Sequence, residues 1–245
     1  MPSITLYVLI FLVAMVYASV GHGGASGYLA VMSLVGGWLP AAMSTSALVL
    51  NLLVAGTAWL MFWRAGYGSW SLLWPFVISS VPAALIGGWL SIPAQTYRGL
   101  LAACLLVAAV RLCLPSVQDG RRPGGPPLAA ALPVGAGIGL ISGIVGVGGG
   151  IFLSPLMVLL RWADVKRTAA ISAAFIVVNS LAGLAGRAIA GRLRIDAVAP
   201  LVVAAFAGGV IGSRLGANHF SGWWLRRLLA LVLVVAAGKL AVTHG

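Results

Sequence analysis

Long apolar stretches, separated by short polar or glycine-rich ones, run through the whole chain. Ten such segments are visible, at residues 4–20, 24–37, 43–62, 70–90, 97–114, 128–145, 150–161, 168–190, 196–215 and 223–242. A membrane-spanning helix needs about 20 residues. The second and seventh segments are too short to cross comfortably, so we predict that they form re-entrant half-helices. The other eight are predicted to span the membrane.

A polar linker rich in proline and glycine lies between residues 115 and 127. This composition is typical of a loop. It divides the chain into two predicted transmembrane domains, 1–114 and 128–245. The predicted fold is therefore an all-α integral membrane protein of two homologous repeats, each with four spanning helices and one half-helix.

The composition excludes a soluble protein. Hydrophobic residues make up 61% of the chain, charged residues only 7%, and the mean hydropathy is +1.09, whereas a soluble domain has about a quarter charged residues. The apolar runs lack the alternation of a β-barrel. Cys104 and Cys113 fall in one predicted helix and are interpreted as packing residues.

The net charge of +12 comes from 15 Lys and Arg against three acidic residues. Interfacial anchoring and contact with anionic lipids explain most of these cations, while a positive field that gathers an anionic substrate is the alternative. Since the cations are scattered along short loops, we expect no nucleic-acid partner. The expected partners are the lipid bilayer and a small anion, and a homo-oligomer is compatible with the sequence.

The two halves share an ordered series of residues, which predicts an internal duplication. Gly21, Gly23 and Gly24 recur 125 positions later, and Asn51 matches Asn179 at a spacing of 128. If the half-helices do not cross, the repeats are parallel with eight crossings. If they cross, each repeat has five spans and the repeats are inverted. We favour eight crossings, and for that arrangement the positive-inside rule barely prefers an N-terminus in the cytoplasm.

Two glycine clusters interrupt apolar runs at matching places in the two halves. They consist of Gly21, Gly23 and Gly24, and of Gly146, Gly148, Gly149 and Gly150. A half-helix that starts after such a turn presents unpaired N–H groups and a partial positive charge, which suits an oxyanion. Close helix packing is the alternative. We also expect Pro155, Gly87 and Gly212 to break helices.

Several polar side chains near the clusters are candidate substrate ligands. Asn51 and Asn179 lie in the middle of apolar segments, where an amide either donates to an oxyanion or joins helices. Ser26 and Ser154 follow the clusters, although serine commonly bonds its own helix. His22 is the one ionisable residue within either cluster, so it is a candidate proton switch or transient cation, unless it is a neutral, hydrogen-bonded ring.

The sequence offers no metal, nucleotide or cofactor motif. No cluster of His, Cys and Asp has ligand spacing, and the three carboxylates, Asp119, Asp164 and Asp196, fall in loops or at segment ends. A carboxylate proton relay in mid-membrane is therefore not predicted. We expect no cofactor, no metal and no catalysis.

The stretch from Gly146 to Leu156, with its glycine cluster followed by Pro155, resembles the glycine-rich signature of the TauE/SafE family of sulfite exporters. The segment from Gly21 to Met32 resembles a weaker copy that has Ala25 and Ala30 in place of a glycine and the proline. Residues 84–90 and 207–215 resemble the repeated fourth-helix pattern of this family. The resemblance implies export of sulfite, sulfonates or related small organic anions.

We therefore expect a secondary transporter or facilitator that moves a small oxyanion out across a bacterial inner membrane. The alternative is a membrane enzyme or accessory subunit without transport of its own. A cation transporter is disfavoured, because no membrane carboxylate is available to hold the cation.

Overall fold

The computed structural model describes residues 4–35, 37–113, 125–195, 198–218 and 234. Within these ranges the chain forms nine α-helices and no strand, which confirms the predicted all-α class. The helices are α1 (Ile4–Ser19), α2 (Ala25–Val35), α3 (Pro40–Phe62), α4 (Trp70–Trp89), α5 (Ala94–Cys113), α6 (Leu128–Val145), α7 (Gly150–Leu159), α8 (Val165–Ile189) and α9 (Ala199–Asn218). Their bounds lie within a few residues of the predicted segments. Apart from residue 234, segment 223–242 lies outside the described residues, as does most of the linker.

Four of the described helices are long and apolar enough to cross a membrane. They are α4, α6, α8 and α3 together with the π-helical turn Trp63–Tyr67 that extends it. Shorter apolar stretches are α1, α2, Ala94–Val110 within α5 and Leu201–Gly216 within α9. Within the described residues, four of the eight predicted spans therefore meet the combined criterion of length and composition.

The two longest helices, α3 and α8, pack against each other in opposite directions. Ala58 and Phe62, near the end of α3, form a cluster with three alanines near the start of α8 (Ala169, Ala170 and Ala173). At the other end, Leu48 near the start of α3 lies against Gly183 near the end of α8. These contacts make the pair antiparallel.

Rows of glycines hold two further helix pairs in close parallel contact. Three glycines of α6 lie against three backbone carbonyls of α4, and both sets are spaced by four residues (Gly135, Gly139 and Gly143 on Phe76, Ser80 and Ala84). The pair α1–α9 has the same arrangement (Gly208, Gly212 and Gly216 on Phe11, Met15 and Ser19). Small residues at this spacing let helix backbones approach closely in a membrane.

The prediction that Gly87, Gly212 and Pro155 break helices is wrong. Helices α4 and α9 continue through their glycines, and α7 continues through its proline. A side chain at Gly87 would clash with the carbonyl oxygen of Leu140, and one at Gly212 with that of Met15. Both glycines therefore serve close packing, which needs no departure from helical geometry.

Residues 125 positions apart make matching contacts. The contacts Gly87–Leu140 and Gly212–Met15 are related by this spacing at both partners. The same spacing relates the first residues of α3 and α8, Pro40 and Val165.

This spacing corrects the sequence match between Asn51 and Asn179. Ile176, 125 positions after Asn51, lies against Gly148 as Asn51 lies against Gly23. The match at 128 aligned two identical residues whose positions in the fold differ by nearly one helical turn.

Candidate functional site

The first glycine cluster forms a break between α1 and α2. Helix α1 ends at Ser19, and Gly21 and Gly24 have φ of +77° and +91°. Residues other than glycine rarely adopt such φ angles. Gly21 also lies against the backbone of Ala169 in α8. The chain turns within these few residues, and α2 begins at Ala25.

The second cluster forms a similar break between α6 and α7. Helix α6 ends on Gly146, which has φ +90° and donates its N–H to the carbonyl of Ser142 at 2.8 Å. Gly148 and Gly149 follow with φ of +78° and +83°, and α7 begins at Gly150. Three left-handed positions among four residues explain why this segment is so rich in glycine.

One buried side chain joins the two breaks. The amide oxygen of Asn51 in α3 accepts the N–H of Ala25, the first residue of α2, at 3.0 Å. Its amide nitrogen donates to the carbonyl of Val147 in the second break, also at 3.0 Å. Asn51 is fully buried. Gly23 and Gly148 both lie directly against this amide, so larger residues there would displace it.

A second polar link runs through His22 of the first break. Its Nδ1 lies 3.0 Å from the carbonyl of Val20, and its Nε2 lies 2.9 Å from the hydroxyl of Ser154 in α7. The hydroxyl of Ser154 is in turn 2.7 Å from that of Ser172 in α8. Because a carbonyl only accepts, Nδ1 is the donor. Nε2 is therefore an acceptor in a neutral ring and a donor in a protonated one. The hydroxyl of Ser154 also donates to the carbonyl of Gly150 in its own helix, at 2.8 Å.

Four polar residues at the breaks have apolar counterparts at a spacing of 125. The residues 125 positions away from His22, Ser154, Ser172 and Asn51 are Val147, Leu29, Ala47 and Ile176. All four apolar residues are buried. The half near the start of α3 has other buried polar side chains, those of Ser44, Thr45 and Ser46, and these are small and neutral.

The other predicted ligands lie apart from these two links. The hydroxyl of Ser26 is 2.9 Å from that of Tyr17, within the first half of the chain. The amide nitrogen of Asn179 donates to the carbonyl of Phe175 in its own helix at 2.9 Å, and its amide oxygen is buried without a hydrogen-bond partner. In the described part of the chain, no three metal-binding side chains come together.

Sequence reasoning missed the cations that bind helix ends. Arg187 in α8 donates to the carbonyls of Gly143 and Ile144 at the end of α6, at 2.8 and 3.0 Å. Arg192 donates to Gly88 at the end of α4, and Lys166 to Gly216 at the end of α9. The position of Arg187 inside an apolar segment was the one feature of the sequence that could have indicated a buried role for it.

An all-helical fold with several apolar helices and two joined glycine breaks defines a polytopic membrane protein. Residues 6–240 match the family of sulfite exporters TauE/SafE, so the chain belongs to that family and the resemblance of its glycine motif is confirmed. It is also similar to the probable membrane transporter protein y4hK of Sinorhizobium fredii, at 36% identity over 242 residues, covering 97% of this chain and 98% of that one. No solved structure matches the chain. The protein is thus a membrane transporter of the TauE/SafE type.

Proposed function

We propose that this transporter exports a small oxyanion, such as sulfite or an organosulfonate, through a site between the two glycine breaks. The Asn51 bridge is the observation that carries the proposal, because one buried amide contacts both the start of α2 and the second break. The family description supports sulfite as one substrate. The breaks themselves favour any small anion.

The depth of the bridge supports a site in the middle of the bilayer. Asn51 is the central residue of α3, which has 23 residues and is about 34 Å long. This length is close to the roughly 30 Å thickness of the hydrocarbon core. Helix α3 is also among the helices able to span a membrane. Asn51 is therefore about halfway across.

We further propose that the chain is built from inverted repeats, 1–114 and 128–245, joined by the linker 115–127. The antiparallel packing of α3 against α8 supports inversion, since parallel repeats would keep matched helices parallel. Inversion requires an odd number of crossings in each repeat. Each half-helix, together with the glycine segment before it, then completes a crossing, and ten crossings replace the eight favoured from the sequence.

The chemistry of the two half-helices suits an oxyanion. The first N–H groups of an α-helix have no acceptor within the helix, and the N-terminus carries a partial positive charge. Helix α2 starts at the Asn51 bridge, and α7 starts three residues after Val147. The N–H of Ala25, at the start of α2, donates to the amide oxygen of Asn51. This bond shows that the start of the half-helix favours an oxygen acceptor.

The membrane potential supplies a driving force for export. A potential of 100 mV contributes about 2.3 kcal/mol per elementary charge, so a cell with a negative interior favours anion exit. Among the described residues Asp164 is the one acidic side chain. It caps the start of α8 and pairs with Arg167. A carboxylate relay is therefore not part of the proposed mechanism.

The charges at the two ends of the bundle suggest its orientation. Of the cations whose side chains the structure describes, five lie at the end where α8 begins (Arg64, Arg161, Lys166, Arg167 and Arg214), and four lie at the opposite end (Arg98, Arg187, Arg192 and Arg194). Arg121 and Arg122, outside the described residues, precede α6, which starts at the first end. The positive-inside rule then places that end in the cytoplasm. The polar link from His22 to Ser172 would face the side from which an exported anion enters.

Flux measured in proteoliposomes tests the proposal. We expect purified protein to carry labelled sulfite or a sulfonate at a rate that follows an imposed potassium-diffusion potential. Protein-free vesicles and vesicles with the Asn51→Leu variant are the controls. If no small anion shows protein-dependent flux that responds to the potential, the proposed function is wrong and a role as an accessory subunit is favoured.

A further inference from the structure

Arg187 is a buried cation that the central site does not use. Its side chain lies in α8, one turn from the end of the helix, and is only 4% exposed. One terminal nitrogen, Nη2, donates to the last carbonyls of α6. The Nε atom of the same guanidinium is buried and has no hydrogen-bond partner. A donor of this kind is costly to bury, so its missing acceptor requires an explanation.

No carboxylate of the described chain neutralises this cation. Asp164 stands at the other end of α8, about 34 Å away along the helix, and pairs with Arg167. The carbonyls at the end of α6 offset part of the charge, because the C-terminus of a helix is partially negative. A buried cation without a counter-ion is nevertheless strongly unfavourable in a membrane protein.

The position of Arg187 relates it to the pathway. The carbonyls it binds, those of Gly143 and Ile144, lie immediately before Gly146, where the second break begins. The hydroxyl of Tyr97 donates to the next carbonyl, that of Val145, at 3.2 Å. Two side chains thus hold the end of α6 through three successive carbonyls.

Arg187 also has an apolar counterpart in the other half. The residue 125 positions before it is Phe62, which is buried in an apolar cluster with Ala169 and Ala173. Arg187 follows Ile176 along α8 by about 16 Å, toward the end opposite the polar link through His22. It places a positive charge in a half of the pathway whose buried hydroxyl groups, such as those of Ser44 and Thr45, are neutral.

We propose that Arg187 binds the transported anion in this second half of the pathway, with its Nε–H as a donor and the anion as its missing counter-ion. The inference rests on the proposed function and adds a subsite beyond the glycine breaks. The anion would leave the centre for Arg187 before release, which gives the second half of the pathway an electrostatic reason to accept a negative charge.

Substitutions can separate anion binding from the structural role of Arg187. In R187Q the amide retains a donor for the carbonyls of α6 but loses the charge. In R187K the charge remains, but the Nε–H is lost. The matched control is R192Q, because Arg192 also binds helix-end carbonyls, those of Gly88 and Trp89 in α4. Initial flux into proteoliposomes is measured against sulfite concentration, together with sulfite-dependent thermal stabilisation of each purified variant.

We expect R187Q to raise the half-saturating sulfite concentration by about 10- to 100-fold, the range for loss of a hydrogen bond between charged groups. R187K should raise it less, and R192Q should leave it within about twofold. Sulfite should stabilise wild type more than R187Q, which a purely structural role would not produce.

Unchanged half-saturation in R187Q overturns the inference. If R187Q does not fold, unchanged half-saturation in R187K overturns it. Absence of any wild-type anion flux defeats the proposed function and the inference together, whereas wild-type flux matched by R187Q defeats only the inference.

Discussion

Replacing Asn51 tests whether the bridge between the breaks matters for stability and transport. In Asn51→Leu the apolar side chain has a similar volume but forms neither hydrogen bond. The N–H of Ala25 and the carbonyl of Val147 then lose the partners that they have in the structure. Each buried unpaired group costs about 1–3 kcal/mol. We therefore expect a loss of about 2–6 kcal/mol in the free energy of unfolding, together with loss of anion flux.

The matched control is Asn179→Leu, the same substitution at another fully buried asparagine in a long helix. Asn179 donates only to Phe175 in its own helix, and its amide oxygen already lacks a partner. Leucine there removes one local hydrogen bond and one unpaired oxygen, so we expect stability to change by less than about 1 kcal/mol. Flux should remain close to that of wild type.

Unfolding by sodium dodecyl sulfate, followed by tryptophan fluorescence, measures the stability of both variants, and proteoliposome flux measures their transport. Asn51→Asp adds a third comparison, since its oxygen still accepts from Ala25 while its charge opposes an anion. We expect Asn51→Asp to lose flux and stability, because its buried carboxylate has no counter-ion and its second oxygen faces the carbonyl of Val147. Equal stability and equal flux in Asn51→Leu and Asn179→Leu would refute the reasoning.

Three further predictions concern the glycines and His22. Gly148→Ala should abolish flux, because the methyl group meets the Asn51 amide at a left-handed backbone position. Its control, Gly137→Ala, should keep its flux, because the added side chain would meet open space. Gly212→Leu should lower the thermal stability of the purified protein by about 1–3 kcal/mol through its clash with α1; a stable variant would show that the glycine row is dispensable. His22→Leu should slow sulfite flux more than His22→Gln, whose amide can still bond Ser154, and equal rates would remove His22 from the pathway.

Helix positions were the most predictable part of the fold. In a chain with so few charges, apolar runs end where glycine, proline or arginine appears, and helices such as α6 and α8 end within a residue or a few of those points. The glycine breaks were predicted because dense clusters such as Gly148 and Gly149 favour left-handed turns, although close helix packing was the alternative. Their left-handed backbones are a direct consequence.

The partners of individual residues could not be predicted, because they depend on how distant helices meet. Asn51 and Asn179 are identical in type and similar in depth, yet one joins two breaks and the other bonds its own helix. Gly87 looks like a helix breaker until α6 is placed beside it. Arg187 was grouped with interfacial cations, because nothing local reveals that the end of α6 lies against it.

The relative direction of the two halves was also beyond the sequence. Matching residues at a spacing of 125 predict a duplication but are the same for parallel and inverted copies. The antiparallel contacts between Phe62 and the start of α8 distinguish the two arrangements. That distinction then determines whether the half-helices complete crossings.

The central claim is that the two breaks together form one anion site halfway across the membrane. An experimental structure determined with selenite, whose selenium scatters strongly and whose shape resembles sulfite, tests it most directly. The account predicts a selenium signal next to Asn51, between the starts of α2 and α7 and within hydrogen-bonding distance of their backbone N–H groups. A signal only elsewhere in the protein, or none between the breaks at saturating selenite, would contradict it.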